Sequence, residues 1–190
     1  GLILQNGEVT YSDVSAEEAV KYYTKIEKEK LNFTNHLNWN LKKSPGNDNI
    51  KILEIKINPI NGQSISIASG FTVEYTFFNY KENINLATTL EIRNLKDEIL
   101  FHQGHRVAYD DTKSKKGIYS VVYKFEPFIF NSGQYKINII FGENATYLLY
   151  QAKEIMGFNI AFEVLGTMTR KLPGALVLNI NPSSSFISNH

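Results

Sequence analysis

From residue 71 to residue 92 the apolar side chains fall on every second position. Phe71, Val73, Tyr75 and Phe77 alternate with Thr72, Glu74, Thr76 and Phe78, and after a polar turn at Lys81–Asn85 the pattern resumes as Leu86, Thr88, Leu90 and Ile92. A helix needs its apolar residues three and four apart, so a sustained period of two specifies strands with one buried face. The period recurs along the chain. Ile50 and Ile52 alternate, and Leu53, Ile55 and Ile57 continue in the opposite phase, which one extra residue in a strand produces; a bulge is expected near Ile52–Leu53. Asn61-Gly62 turns the chain before Ile65 and Ile67, and Ser69-Gly70 leads into Phe71. Further strands are predicted at Leu100–His105, Ile118–Phe125, Tyr135–Phe141 and Phe158–Leu165, with Gln151–Met156 alone leaving room for a helical turn. Short strands at this spacing, with turn signals between them, predict an all-β antiparallel sandwich.

The first 31 residues read differently. Leu2–Leu4, the Asn6-Gly7 turn signal and the alternating Val9 and Tyr11 predict a hairpin. Ser15-Ala16-Glu17-Glu18 is a capping box, so a helix starts near Ala16, with Ala16, Ala19, Val20, Tyr23 and Ile26 along one face. Residues 32–49 are polar, rich in Asn and closed by Ser44-Pro45-Gly46-Asn47-Asp48, which predicts a linker. Trp39, the sole tryptophan, is read as its anchor on a neighbouring surface. Residues 50–190 carry the sandwich, and a late apolar strand follows Pro173-Gly174 at 174–181. An unpaired strand of that kind pairs with a sheet edge of its own chain or of another subunit.

Charge narrows the partners. The chain has 20 basic and 19 acidic side chains in 190 residues, and a net charge of +1 gathers no phosphate backbone, so nucleic acid is not expected as a partner. It contains no cysteine, which removes thiolate zinc and thiol nucleophiles and suits a reducing compartment. No apolar run approaches the ~18 residues of a spanning helix. No phosphate-binding G-x-x-x-x-G-K-[ST] loop, G-x-S-x-G elbow or zinc-protease motif occurs, so neither ATP hydrolysis nor another catalysis is expected of this chain, and no cofactor. His102 and His105 share one metal only if Gly104 breaks the strand, since residues three apart on a strand face opposite ways; they are read as exposed histidines, with no metal site.

The segment LILQNGEVTYSDVSAEEAVKYY at 2–23 resembles the very end of an ABC-type ATPase domain, where a closing hairpin precedes a capped helix. Beyond it, SGFTVEYTF at 69–77, FEPFIFNSGQYKINIIF at 125–141, GFNIAFEV at 157–164 and PGALVLNI at 173–180 are similar, in that order, to motifs of the C-terminal carbohydrate-binding domain of the Wzt-type ATPase subunit of bacterial O-antigen exporters. The resemblance implies an immunoglobulin-like sandwich. It implies binding, without catalysis, of the finished and often capped non-reducing end of a lipid-linked polysaccharide, coupled to export. It implies a cytoplasmic protein, peripheral at the inner face of the membrane, whose partners are that glycan and, through an ATPase domain beyond this chain, the exporter's transmembrane subunit. A homodimer in which the terminal strand joins the partner's sheet is also implied. The alternative is a dimerisation or docking domain that holds no sugar.

Glycan recognition needs planar polar side chains for hydroxyl pairs, an aromatic face for the apolar side of a sugar, and a cation where the sugar bears an acid. Thr89, Glu91 and Arg93 share the outward phase of one strand, opposite Leu90 and Ile92. Lys124, Lys136 and Asn138 take the outward phase of two later strands if Tyr123, Phe125, Tyr135 and Ile137 face inward, and His102, Arg106 and Tyr109 flank the next loop. Arg93 leads the set, because a guanidinium grips an anionic cap through two parallel hydrogen bonds. Tyr135 is read as structural, its hydroxyl bonding the backbone, with Gly133 supplying a turn of positive φ.

Overall fold

The alternation at 71–77 is realised as burial: Phe71, Val73, Tyr75 and Phe77 are each at most 3% exposed. The computed structural model describes residues 2–5, 8–12, 15–22, 31–108, 110–164, 166, 169–171 and 173–176. Its strands are β1 (Ile3–Gln5), β2 (Glu8–Tyr11), β3 (His36–Asn38), β4 (Ile50–Pro59), β5 (Phe71–Asn79), β6 (Leu86–Asn94), β7 (Ile99–Ala108), β8 (Gly117–Phe125), β9 (Gly133–Glu143) and β10 (Tyr147–Ile160). Two four-stranded antiparallel sheets, ordered β3-β4-β5-β8 and β10-β9-β6-β7, enclose the core. This is the all-β sandwich the periodicity demands. The register between β4 and β5 shifts between Ile52 and Glu54, where the phase change at Leu53 places the bulge.

The core is aromatic. On the inner face of the first sheet, cross-strand neighbours stack, with centroids 4.8 Å apart for Phe71 and Phe125 and 5.6 Å for Phe77 and Tyr119. Phe77 meets Phe141 of the opposite sheet edge-on at 4.7 Å, tying the two layers together. Tyr135 donates its hydroxyl to the Asn131 carbonyl at 2.6 Å, the expected corner, and burial pushes its ionisation up to about 12. Removing that hydroxyl in Tyr135→Phe is expected to cost about 1 kcal/mol, read by urea unfolding, because one buried backbone acceptor loses its donor. Gly133 is otherwise than expected: it opens β9 outside the positive-φ region, and the turn before it is made by Phe128 at φ 63°.

Residues 32–49 do more than link. Thr34 N–H donates to the Gly157 carbonyl and Gly157 N–H to that of Asn32, both at 3.0 Å, so the segment first runs along β10. It then crosses to the other sheet as β3, pairing His36–Asn38 with Glu54–Lys56. Gly157 lets the two segments come this close: an added Cβ would lie 2.7 Å from Leu31 Cδ2 and 3.0 Å from Phe33 Cδ1, and those side chains would have to move. Trp39 packs against the core and anchors the segment. Three residues of pairing within an Asn-rich stretch leave too little alternation to be seen in the sequence.

Gln151–Met156 is extended, not helical. The register of β10 against β9 shifts between Ala152 and Met156, and Glu154 takes φ 49°, so a bulge replaces the possible helical turn. The strand expected at Phe158–Leu165 begins at Tyr147 and ends at Ile160.

At the N-terminus β1 pairs with β2, and the Ser15 box is closed in both directions: Glu18 N–H to Ser15 Oγ at 3.1 Å, Ser15 N–H to Glu18 Oε2 at 2.9 Å. Residues 16–22 are helical, with Val20 exposed, while Tyr23 and Ile26 lie outside the described residues. No helix among the described residues is long and apolar enough to cross a membrane. At the other end, Asn131 N–H donates to the Ala175 carbonyl at 2.9 Å and Leu176 bridges Phe130, so the late segment starts against its own chain; residues 177–181 of the expected terminal strand lie outside the described residues.

Candidate functional site

β6 runs through the middle of its sheet, so its outward side chains are flanked on both sides. Glu91 stands opposite His102 on β7 and Asn138 on β9, and Arg93 stands opposite Lys136. The Glu91 carboxylate accepts from Arg93 Nε at 2.6 Å and Asn138 Nδ2 at 2.8 Å through Oε1, and lies 2.9 Å from His102 Nδ1 through Oε2. Its side chain is 4% exposed. Burial pushes the carboxyl up, but the hydrogen bonds from Arg93, His102 and Asn138 outweigh it and hold it below the ordinary glutamate range.

A second knot adjoins the first. Lys136, 4% exposed, donates to Asp97 at 2.6 Å and to Glu154 at 2.5 Å. Burial pushes its ammonium down, and the two carboxylates more than offset that, so it stays charged more firmly than a free lysine. The β10 bulge makes this possible: it turns Glu154 over the sheet, and Glu154 N–H donates to Asn138 Oδ1 at 2.6 Å. Asn138 thereby joins the two knots, its amide donating to Glu91 and its oxygen accepting from Glu154.

Along the same face, Thr89 stands opposite Gly104 and Ile140, and Ala87 opposite Gly142 and Arg106. Small side chains on three adjacent strands leave a hollow of about 370 Å³, walled by Tyr147, Leu148, Thr146 and Arg106. Tyr147 and Leu148 are 67% and 65% exposed. The turn before them is fixed, with Asn144 and Ala145 at φ 55° and 54° and Asn144 N–H donating to the Asn85 carbonyl at 3.0 Å. Tyr147 therefore follows a defined turn and stands as an exposed aromatic wall beside an apolar floor.

The outward phase thus brings together Thr89, Glu91, Arg93, His102, Arg106, Lys136 and Asn138. Lys124 is not among them: Tyr123 and Phe125 do face inward, but β8 belongs to the other sheet, and Lys124 pairs with Glu126 at 2.6 Å on the far side of the sandwich. Tyr109 lies outside the described residues. His102 and His105 stand opposite Glu91 and Thr88 on an unbroken strand, so they face opposite ways. Arg93 is engaged within the protein, by Glu91 and by the Asp97 carbonyl at 3.3 Å. The residues missed from sequence are Tyr147, Leu148, Ala87, Gly142 and the carboxylates Asp97 and Glu154. Ile140 and Gly142 are the signal that was present, being apolar or small where the outward phase of β9 should be polar.

No protein-family model matches the chain, and no curated protein matches it in sequence. Among solved structures, the crystal structure of the C-terminal domain of Wzt matches with a TM-score of 0.58 and 11% identity, over 85% of this chain and 95% of that one. At that identity the likeness is one of architecture: the chain has the sandwich fold of the Wzt C-terminal domain.

Proposed function

We propose that this chain is a non-catalytic glycan-binding module of the ATPase subunit of a polysaccharide exporter, and that it binds sugar on the outer face of the β10-β9-β6-β7 sheet. The observation that carries the reading is the hollow beside Tyr147. A pyranose ring has an apolar face and an equatorial belt of hydroxyls; the hollow offers an exposed aromatic wall and an apolar floor, and Glu91 with its partners lies one outward position beyond Thr89 along β6. The sequence motifs at 69–77 and 125–141 and the shared fold support the same assignment. In this reading the ligand is the capped non-reducing end of a surface polysaccharide, the protein works as a homodimer at the cytoplasmic face of the membrane, and residues 1–31 belong to the ATPase junction.

Titration of the chain with its source organism's own polysaccharide, with and without the terminal cap, followed by amide chemical shifts, tests it. Movement confined to Thr89, Gly104, Gly142 and Tyr147, and seen only with the capped polymer, is the expected result. Tyr147→Ala should weaken that binding about tenfold, and Tyr147→Phe should leave it nearly unchanged, since the ring and not the hydroxyl carries the contact. If neither polymer moves this face, the docking alternative takes over. One observation favours that alternative, on the opposite sheet: Ile118 and Val122 of the edge strand β8 point outward and are 65% and 58% exposed.

A further inference from the structure

Resting on the reading above, we infer that the sugars held in the hollow bear no acidic or phosphate group, and that Arg93 and Lys136 serve the fold and do not grip an anion. The chemistry that recognises an anion is a cation with unspent donors, or a fork of guanidinium N–H groups aimed outward. This face carries its positive charge otherwise. Lys136 is buried and donates to two carboxylates. Arg93 spends Nε on Glu91 and Nη1 on the Asp97 carbonyl. Within the network the carboxylates of Glu91, Asp97 and Glu154 outnumber the permanent cations Arg93 and Lys136. An anion laid across it would meet those carboxylates, and Lys136 could serve it only by breaking a buried pair.

The hollow itself repeats the choice. Its floor is Ala87, Thr89, Gly104, Ile140 and Gly142, with no acidic side chain in the lining; of its basic residues, His105 and Arg106, the arginine has an interaction of its own within the protein. What such a surface rewards is the burial of C–H faces and the exchange of neutral hydroxyl hydrogen bonds. It follows that selectivity here comes from ring stereochemistry and apolar substituents, and that the carboxylate-rich network turns away acidic sugars of similar shape.

A matched pair of ligands decides this. The source organism's surface polysaccharide is titrated into the full chain as isolated, and again after carboxyl reduction and removal of phosphate, which strips its charge and leaves its rings. The expected result is that the neutralised polymer binds at least as tightly as the native one, and that raising NaCl from 0.05 M to 0.5 M changes either Kd less than threefold. A loss of tenfold or more on neutralisation, or a steep weakening with salt, overturns the inference and leaves glycan binding standing. Failure of both polymers to bind, or to move Thr89, Gly104, Gly142 and Tyr147, removes the glycan reading itself and this inference with it.

Discussion

Glu91→Ala will lower the stability of the chain by about 3 kcal/mol, the lower end of what breaking a buried charge pair costs. The carboxylate is nearly inaccessible, and its loss leaves Arg93, His102 and Asn138 facing a void. The lower end applies because Arg93 and His102 are partly exposed and regain water, whereas Asn138, 4% exposed, does not. In a domain of this size the loss appears as a fall in Tm of roughly 6–12 °C. The pH profile separates charge from packing. Glu91 titrates lower in the folded chain than unfolded, so its contribution is complete above the ordinary glutamate value of about 4.3 and disappears as pH falls through the depressed folded value. Lys136 is held up instead, so its contribution is complete below the ordinary lysine value of about 10.4 and disappears as pH rises through the raised one. Glu91→Gln keeps the shape and an acceptor for Asn138, so it should destabilise less than alanine and yet flatten the acid limb. An acid limb unchanged in both variants would show that the carboxylate is not the group being titrated.

Most of the frame was legible in the sequence because burial writes itself into a period. Leu86, Thr88, Leu90 and Ile92 face inward as the alternation requires, including Thr88, whose hydroxyl finds Tyr75 Oη at 2.9 Å. The bulge at Leu53 and the Ser15 box were equally visible, each being a local rule with a local signature. What alternation does not encode is which strands share a sheet. Lys124 and Lys136 have the same outward phase, and only the crossover of the chain between β8 and β9 sends them to opposite surfaces. The candidate site shows the same limit. Glu91, Arg93, Lys136 and Asn138 were found by phase and His102 by its place beside a loop, but Asp97 enters from a loop and Glu154 from a bulge, where no period operates. Arg93 in turn is a partner of Glu91, its neighbour on the same face of β6, and of the Asp97 carbonyl. Tyr147 was passed over for a related reason: an exposed tyrosine beside a turn looks like any surface aromatic until Gly104 and Gly142 are known to lie on the two strands that flank β6.

Phe141→Ala should be the most damaging single truncation on the site-bearing sheet, costing about 3–5 kcal/mol. The ring is fully buried on β9, edge-on to Phe77 at 4.7 Å, with Tyr75 at 6.4 Å and Tyr150 at 6.4 Å, so it joins one sheet to the other and β9 to β10. Removing it withdraws apolar area and opens a cavity between rigid aromatic neighbours that cannot collapse into it. Phe141→Leu refills most of that volume and should cost under half as much, and the ratio of the two, read from urea unfolding, reports how far the surrounding rings relax. The position also tests how the hollow is held. Phe141 points inward while its chain neighbours Ile140 and Gly142 point outward into the hollow's floor, so a sandwich loosened at Phe141 must lose definition at the outer face. Amide exchange in Phe141→Ala should therefore quicken at Gly142 and Tyr147 by more than the global loss of stability accounts for. Uniform acceleration across both sheets would mean instead that the floor of the hollow is fixed by strand pairing alone, independent of the core beneath it.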